Sequence, residues 1–456
     1  MTVSRREFVV RTGITATALG LAGARPAAAA ANPAPAAAGQ APGPAAVPAF
    51  RPDDWASVRA QFRLDPDYAH LSPFFIVSHP APVREAIERY RTALDANPYN
   101  YLDDHMFMKP EDRLWMRVCE AAAEYTGGRP EEIALTASTT MGLALLYNGL
   151  RVRPQQEIVT TTHDHFVHHE AIRVAAGRSG ATVRKVALYD APGKASADEM
   201  AARLKAAIGP RTRLVGVTWA HSSTGVRTPI RRFADAVREV NRTRGKDEQV
   251  ILIVDGAHGF GAVDENVADL GCDFFASGTH KWILAPRGTG LVWGRAEIWA
   301  QVIPTIPSFM SDDGYNAWMN GTPRTTPIAA ADVSPGGFLA YEHQWAAVEA
   351  FQFHKAIGRA RVAGRIAALN TRIKAGLAAM KHVTLHTPID PALSAGVNCF
   401  EVRGVAAEEV VKRLLDRRVI ASASPYKTTY PRLSAGIMNT EAEVDRALAA
   451  VDALRT

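Results

Sequence analysis

From Phe50 onward the chain alternates short apolar runs with stretches whose apolar residues recur every three or four positions. A run of four to eight apolar residues bounded by turn residues reads as a strand buried on both faces. The recurring pattern reads as a helix with one apolar side. Strands are expected at 133–136, 157–162, 182–188, 212–219, 249–255, 273–277 and 290–293. Helices are expected between them at 140–150, 167–177, 197–208 and 230–244. This alternation predicts an α/β architecture, a seven-stranded and mostly parallel sheet with helices on both faces. Past Pro335 the pattern changes. A helical stretch runs over 338–380, with breaks expected at Gly358 and Gly364, followed by strands at 383–385 and 398–402 and helices at 406–417 and 440–454. The reading is therefore a large domain over 51–335 and a smaller α+β domain over 336–456, with no repeat of fixed period.

Ahead of this lies a different composition. Residues 1–30 contain Ser4-Arg5-Arg6-Glu7-Phe8-Val9, a short stretch rich in Gly, Ala and Thr, and then small residues suited to signal peptidase. That order resembles a twin-arginine export signal, so the expected partner is the twin-arginine translocase and the expected location is periplasmic or secreted. The apolar stretch falls short of the ~20 residues a bilayer helix needs, so no membrane anchor is expected after cleavage. Residues 31–50, almost all Ala, Pro and Gly, read as a flexible tether.

Charge and cysteine content then remove several function classes. The formal charge is +6, but Arg5, Arg6, Arg11 and Arg25 against Glu7 place about half of it in the leader. The remainder forms no basic stripe, so nucleic acid is not an expected partner. Cys119, Cys272 and Cys399 are too scattered for a disulfide framework or a metal site, and Cys272 and Cys399 lie in apolar runs where a buried thiol is the plain reading.

Two run ends carry the chemistry. Gln249-Val250-Ile251-Leu252-Ile253-Val254 closes on Asp255, followed by Gly256-Ala257-His258-Gly259. In an open parallel sheet ligands bind beyond the carboxyl ends of the strands, and an acid there is costly to bury without a cation. A second run, Asp273-Phe274-Phe275-Ala276-Ser277-Gly278, leads through Thr279 and His280 to Lys281. Desolvation at such an edge favours a neutral, nucleophilic amine. An acid able to hold a proton on a pyridine nitrogen and an amine able to bond an aldehyde are what pyridoxal 5'-phosphate (PLP) requires. Its phosphate further needs backbone N–H groups at a helix start, and Ser138 and Thr139 are residue types that cap one.

The segment from Cys272 to Gly290 resembles the class V aminotransferase signature, and the likeness extends from about residue 65 onward. It implies PLP-dependent fold type I, with Lys281 as the covalent anchor and Asp255 at the ring nitrogen. Ser138, Thr139 and Thr140 would hold the phosphate together with Thr279 and His280. His165 would stack on the ring, and His163, His168 and His169 match no role. Gly321 and Thr322 resemble a Gly-Thr pair that reaches the neighbouring subunit's phosphate, which implies a homodimer. Arg432, in Tyr430-Pro431-Arg432-Leu433-Ser434, matches the residue gripping the substrate carboxylate, a task suited to a bidentate guanidinium. Where relatives place an Asn at the cofactor oxygen, this chain has His221-Ser222, which leaves that contact open among Ser222, His221 and His258. No HExxH or CxxC spacing supports a metal.

These expectations describe an enzyme acting at the α-carbon of a small-molecule or peptide amine, by transamination or epimerisation. Lys281, Asp255 and His165 are the catalytic candidates. The export signal and the motifs together resemble the periplasmic branch that matures pyoverdine-type peptides. A cysteine desulfurase is the first alternative, but 420–430 lacks the cysteine such enzymes carry near the arginine, so a C–S lyase is the form of it that remains. A non-catalytic binding protein is the second, and the presence of both Lys281 and Asp255 argues against it. Phe74, Phe75, Tyr99, Tyr101, Trp318 and Tyr426 are candidates for the substrate side.

Overall fold

The computed structural model describes residues 49–455. The leader assigned to 1–30, and the 31–50 tether apart from its last two residues, lie outside them. Phe50, at the end of that tether, is already packed, with its ring stacked on Phe353 at 4.9 Å.

Thirteen strands are numbered in chain order. They are β1 (Ala69–His70), β2 (Ile133–Thr136), β3 (Glu157–Thr161), β4 (Thr182–Val186), β5 (Thr212–Thr218), β6 (Ile251–Asp255), β7 (Phe274–Gly278), β8 (Gly290–Gly294), β9 (Val383–Leu385), β10 (Asn398–Val402), β11 (Val419–Ile420), β12 (Ser422–Ala423) and β13 (Pro431–Leu433). The large sheet has the order β2-β8-β7-β6-β5-β3-β4. Its pairs are parallel except those of β8 with β2 and β7. All seven expected strands are present. Six are buried along their length, as doubly covered strands must be. The seventh, β4, is an exposed edge strand whose Arg184 and Lys185 keep the edge charged.

Alternate residues of one strand feed two cores. Leu252 and Val254 of β6 join one apolar cluster, and Ile251 and Ile253 join another, so helices cover both faces. The covering helices Thr139–Gly149, Phe166–Ser179, Ala197–Ala207 and Ile230–Asn241 stand where the periodicity placed them.

The C-terminal part departs from expectation at two breaks: one not expected falls at Ala346, and the one expected at Gly364 is absent. The 338–380 stretch is three helices, Tyr341–Trp345, Ala347–Ile357 and Arg359–Ala379. Gly358 breaks it because its φ of 93° is not helical. Gly364 does not break it: it lies inside the third helix facing open space, where a helical glycine costs only about 1 kcal/mol. A second sheet, antiparallel in the order β12-β13-β10-β9, packs with the C-terminal helices. Helices that the run pattern did not single out also appear, the longer ones at Ala81–Ala96, Leu114–Thr126 and Asp312–Asn320. Two-residue β1 pairs in parallel with β11, placing Ala69 and Leu71 in one apolar cluster with Leu369, Phe400, Val419 and Val444.

Candidate active site

A cavity of about 290 Å³ opens at the carboxyl ends of the parallel strands. The turn after β2 brings Ser138, Thr139 and Thr140 to it, and the turn after β3 brings His163 and His165. Strand β5 ends there in Thr218 and leads to Ser222, β6 ends in Asp255 and leads to His258, and β7 leads to His280 and Lys281. Parallel register sets Thr218, Asp255 and Ala276 side by side. Gly256 makes the turn after β6 possible, because a Cβ there would fall 1.9 Å from the Phe275 ring.

Asp255 is 3% exposed. Its Oδ1 accepts a hydrogen bond from the Ala257 N–H at 3.0 Å. Oδ2 has no partner, and the carboxylate forms no ion pair among the described residues. A buried acid so placed wants a cationic or protonated partner. Lys281 lines the same cavity, with Nζ 3.4 Å from His258 Nε2. Burial lowers the Lys281 pKa to about 8, with Asp255 opposing the shift and Arg432 adding to it. About a tenth of the amine is then neutral at pH 7. Burial also drives His258 well below the usual histidine range, so its imidazole is uncharged.

An anion fits the neighbouring corner. Ser138 caps the helix Thr139–Gly149 by accepting from Met141 N–H at 3.1 Å. The amides of Thr139 and Thr140, in the first turn, have no intrahelical acceptor. Thr139 Oγ1 accepts from Gly278 N–H at 2.6 Å, tying this corner to the end of β7. His280 stands beside it with Nδ1 3.4 Å from the Thr289 carbonyl. A dianionic phosphate suits the free amides and the positive end of the helix dipole.

Arg432, 4% exposed, holds the other side. It donates from Nε to Ser422 Oγ at 3.1 Å, from Nη1 to the Ser222 carbonyl at 3.0 Å and from Nη2 to the Ala423 carbonyl at 3.1 Å. Its guanidinium lies 4.7 Å over the Phe74 ring. No carboxylate pairs with it among the described residues, and two of its five N–H groups remain for an anion. Tyr426 closes the cavity from the loop between β12 and β13. Its hydroxyl is 2.7 Å from Ser222 Oγ, and its ring meets His165 edge-on at 5.9 Å. His165 caps its helix by accepting from Val167 N–H, and burial lowers its pKa, so it presents a neutral ring.

Four expected site residues lie elsewhere. His221 is not in the cavity wall: it is wholly buried, and its Nδ1 meets Tyr189 Oη at 3.0 Å. Thr279 points into the fold, its hydroxyl 2.6 Å from that of Thr289. Gly321 and Thr322 are exposed just past the helix Asp312–Asn320, away from this chain's own cavity. Of the aromatic candidates, Phe74, Phe75 and Tyr426 line the cavity. Tyr101 packs on Trp345, and Tyr99 and Trp318 are exposed.

Two polar wall residues were not assigned a role by the sequence reading, beside the apolar Val167, Ala257 and Pro425. One is His163, stacked on Tyr189 at 3.9 Å, and the other is Thr218, whose buried hydroxyl has no partner. Their position at strand ends beside His165 and Asp255 was the available clue. His168 and His169 bond Tyr147 and the Thr161 carbonyl instead. Among the described residues no group of three or more ligating side chains could hold a metal.

The donor set fits PLP: an acid with a free oxygen, a desolvated amine, vacant helix amides for a phosphate, and the orphaned Thr218 hydroxyl. The family model described as aminotransferase class-V matches residues 78–447. The chain is 30% identical over 418 residues to an isopenicillin N epimerase of Streptomyces clavuligerus, covering 88% of this chain and 98% of the relative. It is 26% identical over 345 residues to a probable cysteine desulfurase of Pseudomonas aeruginosa, covering 71% and 78%. Among solved structures it resembles a variant of C-DES with glycine covalently linked to the PLP cofactor. The TM-score is 0.75 at 22% identity, over 86% of this chain and 98% of that one.

Proposed function

The chain belongs to the class V aminotransferase family of PLP-dependent enzymes, and from that premise we propose that it transforms an amino acid or aminoacyl group at the α-carbon, by transamination or epimerisation. The observation that carries this reading is Asp255, buried with one oxygen uncommitted in the same cavity as the depressed Lys281 amine. PLP, when bound, supplies a ring that draws electrons from the α-carbon. Lys281 Nζ anchors the cofactor, and as a neutral amine takes and returns the α-proton. Asp255 Oδ2 would keep a proton on the ring nitrogen. The amides of Thr139 and Thr140 would hold the phosphate, with His280 beside them, and His165 would cover the ring. Arg432 binds the substrate carboxylate with its two uncommitted N–H groups, and the Phe74 ring beneath sets the plane of the guanidinium.

The leader motif supports export through the twin-arginine translocase and action on a peptide metabolite outside the cytosol. Assembly as a homodimer is supported by an exposed aromatic row. Phe107, Phe309 and Phe338 stand 6.2 and 5.8 Å apart ring to ring, and Trp318 is 74% exposed on the helix leading to Gly321 and Thr322.

A C–S lyase reading has support from C-DES, described as a cystine C–S lyase, and from the desulfurase relatives. Such a lyase need not use a thiol of its own. That matters here, because Cys119, Cys272 and Cys399 are all buried, with thiol pKa values pushed up by that burial. Borohydride reduction of the holoenzyme followed by peptide mapping tests the anchor, and a PLP adduct is expected on Lys281. A screen of amines and keto acids by cofactor absorbance, with sulfide release measured from thiol amino acids, separates the two reactions. No adduct on Lys281 overturns both.

A further inference from the structure

We propose that His258 carries its proton on Nε2 and donates it to the neutral form of the Lys281 amine, which makes His258 the positioning residue that favours that form when the lysine is free. The inference rests on Lys281 being the anchor, as proposed above, and goes on to name what prepares it.

The argument starts from an unpartnered atom. His258 is 8% exposed, and its Nδ1 is buried with no hydrogen-bond partner among the described residues, while Nε2 lies 3.4 Å from Lys281 Nζ. A neutral imidazole has one N–H and one bare nitrogen, and each arrangement has a consequence here. With the proton on Nδ1, a donor is stranded in a dry site and Nε2 can only accept from an ammonium. With the proton on Nε2, the stranded atom is a lone pair, and the N–H meets the lone pair of a neutral amine. Orphaned buried N–H groups are the rarer and costlier of the two.

The surroundings favour the same choice. The groups facing Lys281 are Asp255 from β6 and Arg432 from β13, and those facing His258 include Arg432, His165 and His280. The cation among them, Arg432, opposes a further positive charge on either ring or amine. Asp255 favours an ammonium, and burial outweighs it. The ring is also fixed in place. The turn after β6 closes with Gly259 and Phe260 N–H groups on the Gly256 carbonyl, and Gly259 packs so tightly that a Cβ would fall 2.2 Å from Trp219.

The two tautomers predict opposite signs. A donor to the neutral amine lowers the lysine pKa, so removing it raises that pKa, whereas removing an acceptor of the ammonium lowers it. In the full-length chain freed of cofactor, the pH midpoint of Lys281 acetylation by acetic anhydride is read by mass spectrometry. His258→Leu, which keeps the site dry, is expected to raise the midpoint by roughly half to one on the pH scale. His258→Gln, which restores an N–H donor, returns it toward wild type. The wild-type protein with ¹⁵N-labelled histidine rings, assigned by difference against His258→Gln, reports the tautomer without depending on how the leucine variant folds. Its His258 signals should show a bare Nδ1 and a protonated Nε2. A midpoint unchanged or lowered in His258→Leu, or a protonated Nδ1, overturns the proposal. Peptide mapping of the borohydride-reduced holoenzyme separates the two ideas: a missing adduct on Lys281 defeats the functional reading, while a reversed sign with the adduct present defeats only this one.

Discussion

Replacing Arg432 with Met separates its use to the fold from its use to a substrate. Arg432 donates three hydrogen bonds, to Ser422, Ser222 and Ala423, and a bond from a charged donor contributes ~1.5–3 kcal/mol. Against that total of roughly 5–9 kcal/mol stands the several-kcal/mol cost of keeping a guanidinium out of water with no carboxylate beside it. Methionine retains much of the volume and carries no charge. The net loss of stability is therefore expected at roughly 0–3 kcal/mol, a fall of a few degrees in thermal midpoint for a chain this long. A substrate carboxylate sees the opposite balance, because its partner is gone. Losing a desolvated charged pair costs ~2–5 kcal/mol. At 1.36 kcal/mol per tenfold this lowers kcat/KM by about 30- to 5,000-fold. The assay takes an amino acid found to react in the substrate screen and compares kcat/KM for the acid and its carboxamide. Wild type should prefer the acid by about 30- to 5,000-fold and Arg432→Met should not distinguish the two. The reasoning fails if the folded variant keeps both its rate and its preference for the acid. It also fails if the variant collapses in stability, for then the guanidinium serves the fold.

Three further outcomes are expected. The folded-state pKa of Lys281, about 8, lies below the ordinary 10.5, so the unfolded chain holds the extra proton between those values. Stability of the cofactor-free protein should therefore rise with pH from about 8 to 10.5. Its rate of PLP capture should climb with pH and level near 8, and a plateau reached only above pH 10 contradicts this. Asp255→Asn keeps an oxygen for the Ala257 N–H and should melt like wild type, yet lose about 10²–10³ in turnover; unchanged turnover removes Asp255 from the chemistry. Gly256→Ala drives a methyl into the Phe275 ring and should cost about 3 kcal/mol or more, visible as a lowered melting midpoint.

What the sequence made legible was whatever a run of residues encodes locally. Strands β5, β6 and β7 are apolar runs too short for helices. The acid after one and the lysine after another fall at carboxyl ends because parallel strands put all their ends on one edge. Side-chain direction within a turn was not legible. Thr279 and His280 are adjacent, yet the first bonds Thr289 inside the fold and the second reaches the cavity. His221 and His163 look alike in sequence, but Tyr189, from a different turn, draws one inward and stacks the other against the wall. The anchors of Arg432 were beyond reach for the same reason, since Ser222 lies 210 residues away along the chain. The helix Asp312–Asn320 was missed because at nine residues its apolar positions, Tyr315, Trp318 and Met319, span only about one turn, and all three are exposed.

The pairing of β1 with β11 has a consequence for biosynthesis. Tyr68 and Arg418 touch across 350 positions, the Ser434 amide bonds the Leu71 carbonyl, and Asn439 reaches the His70 carbonyl. Closure over such a span comes late in folding. A ribosome must release nearly the whole polypeptide before Phe74 can be seated beneath Arg432, so truncated products lack one wall of the cavity.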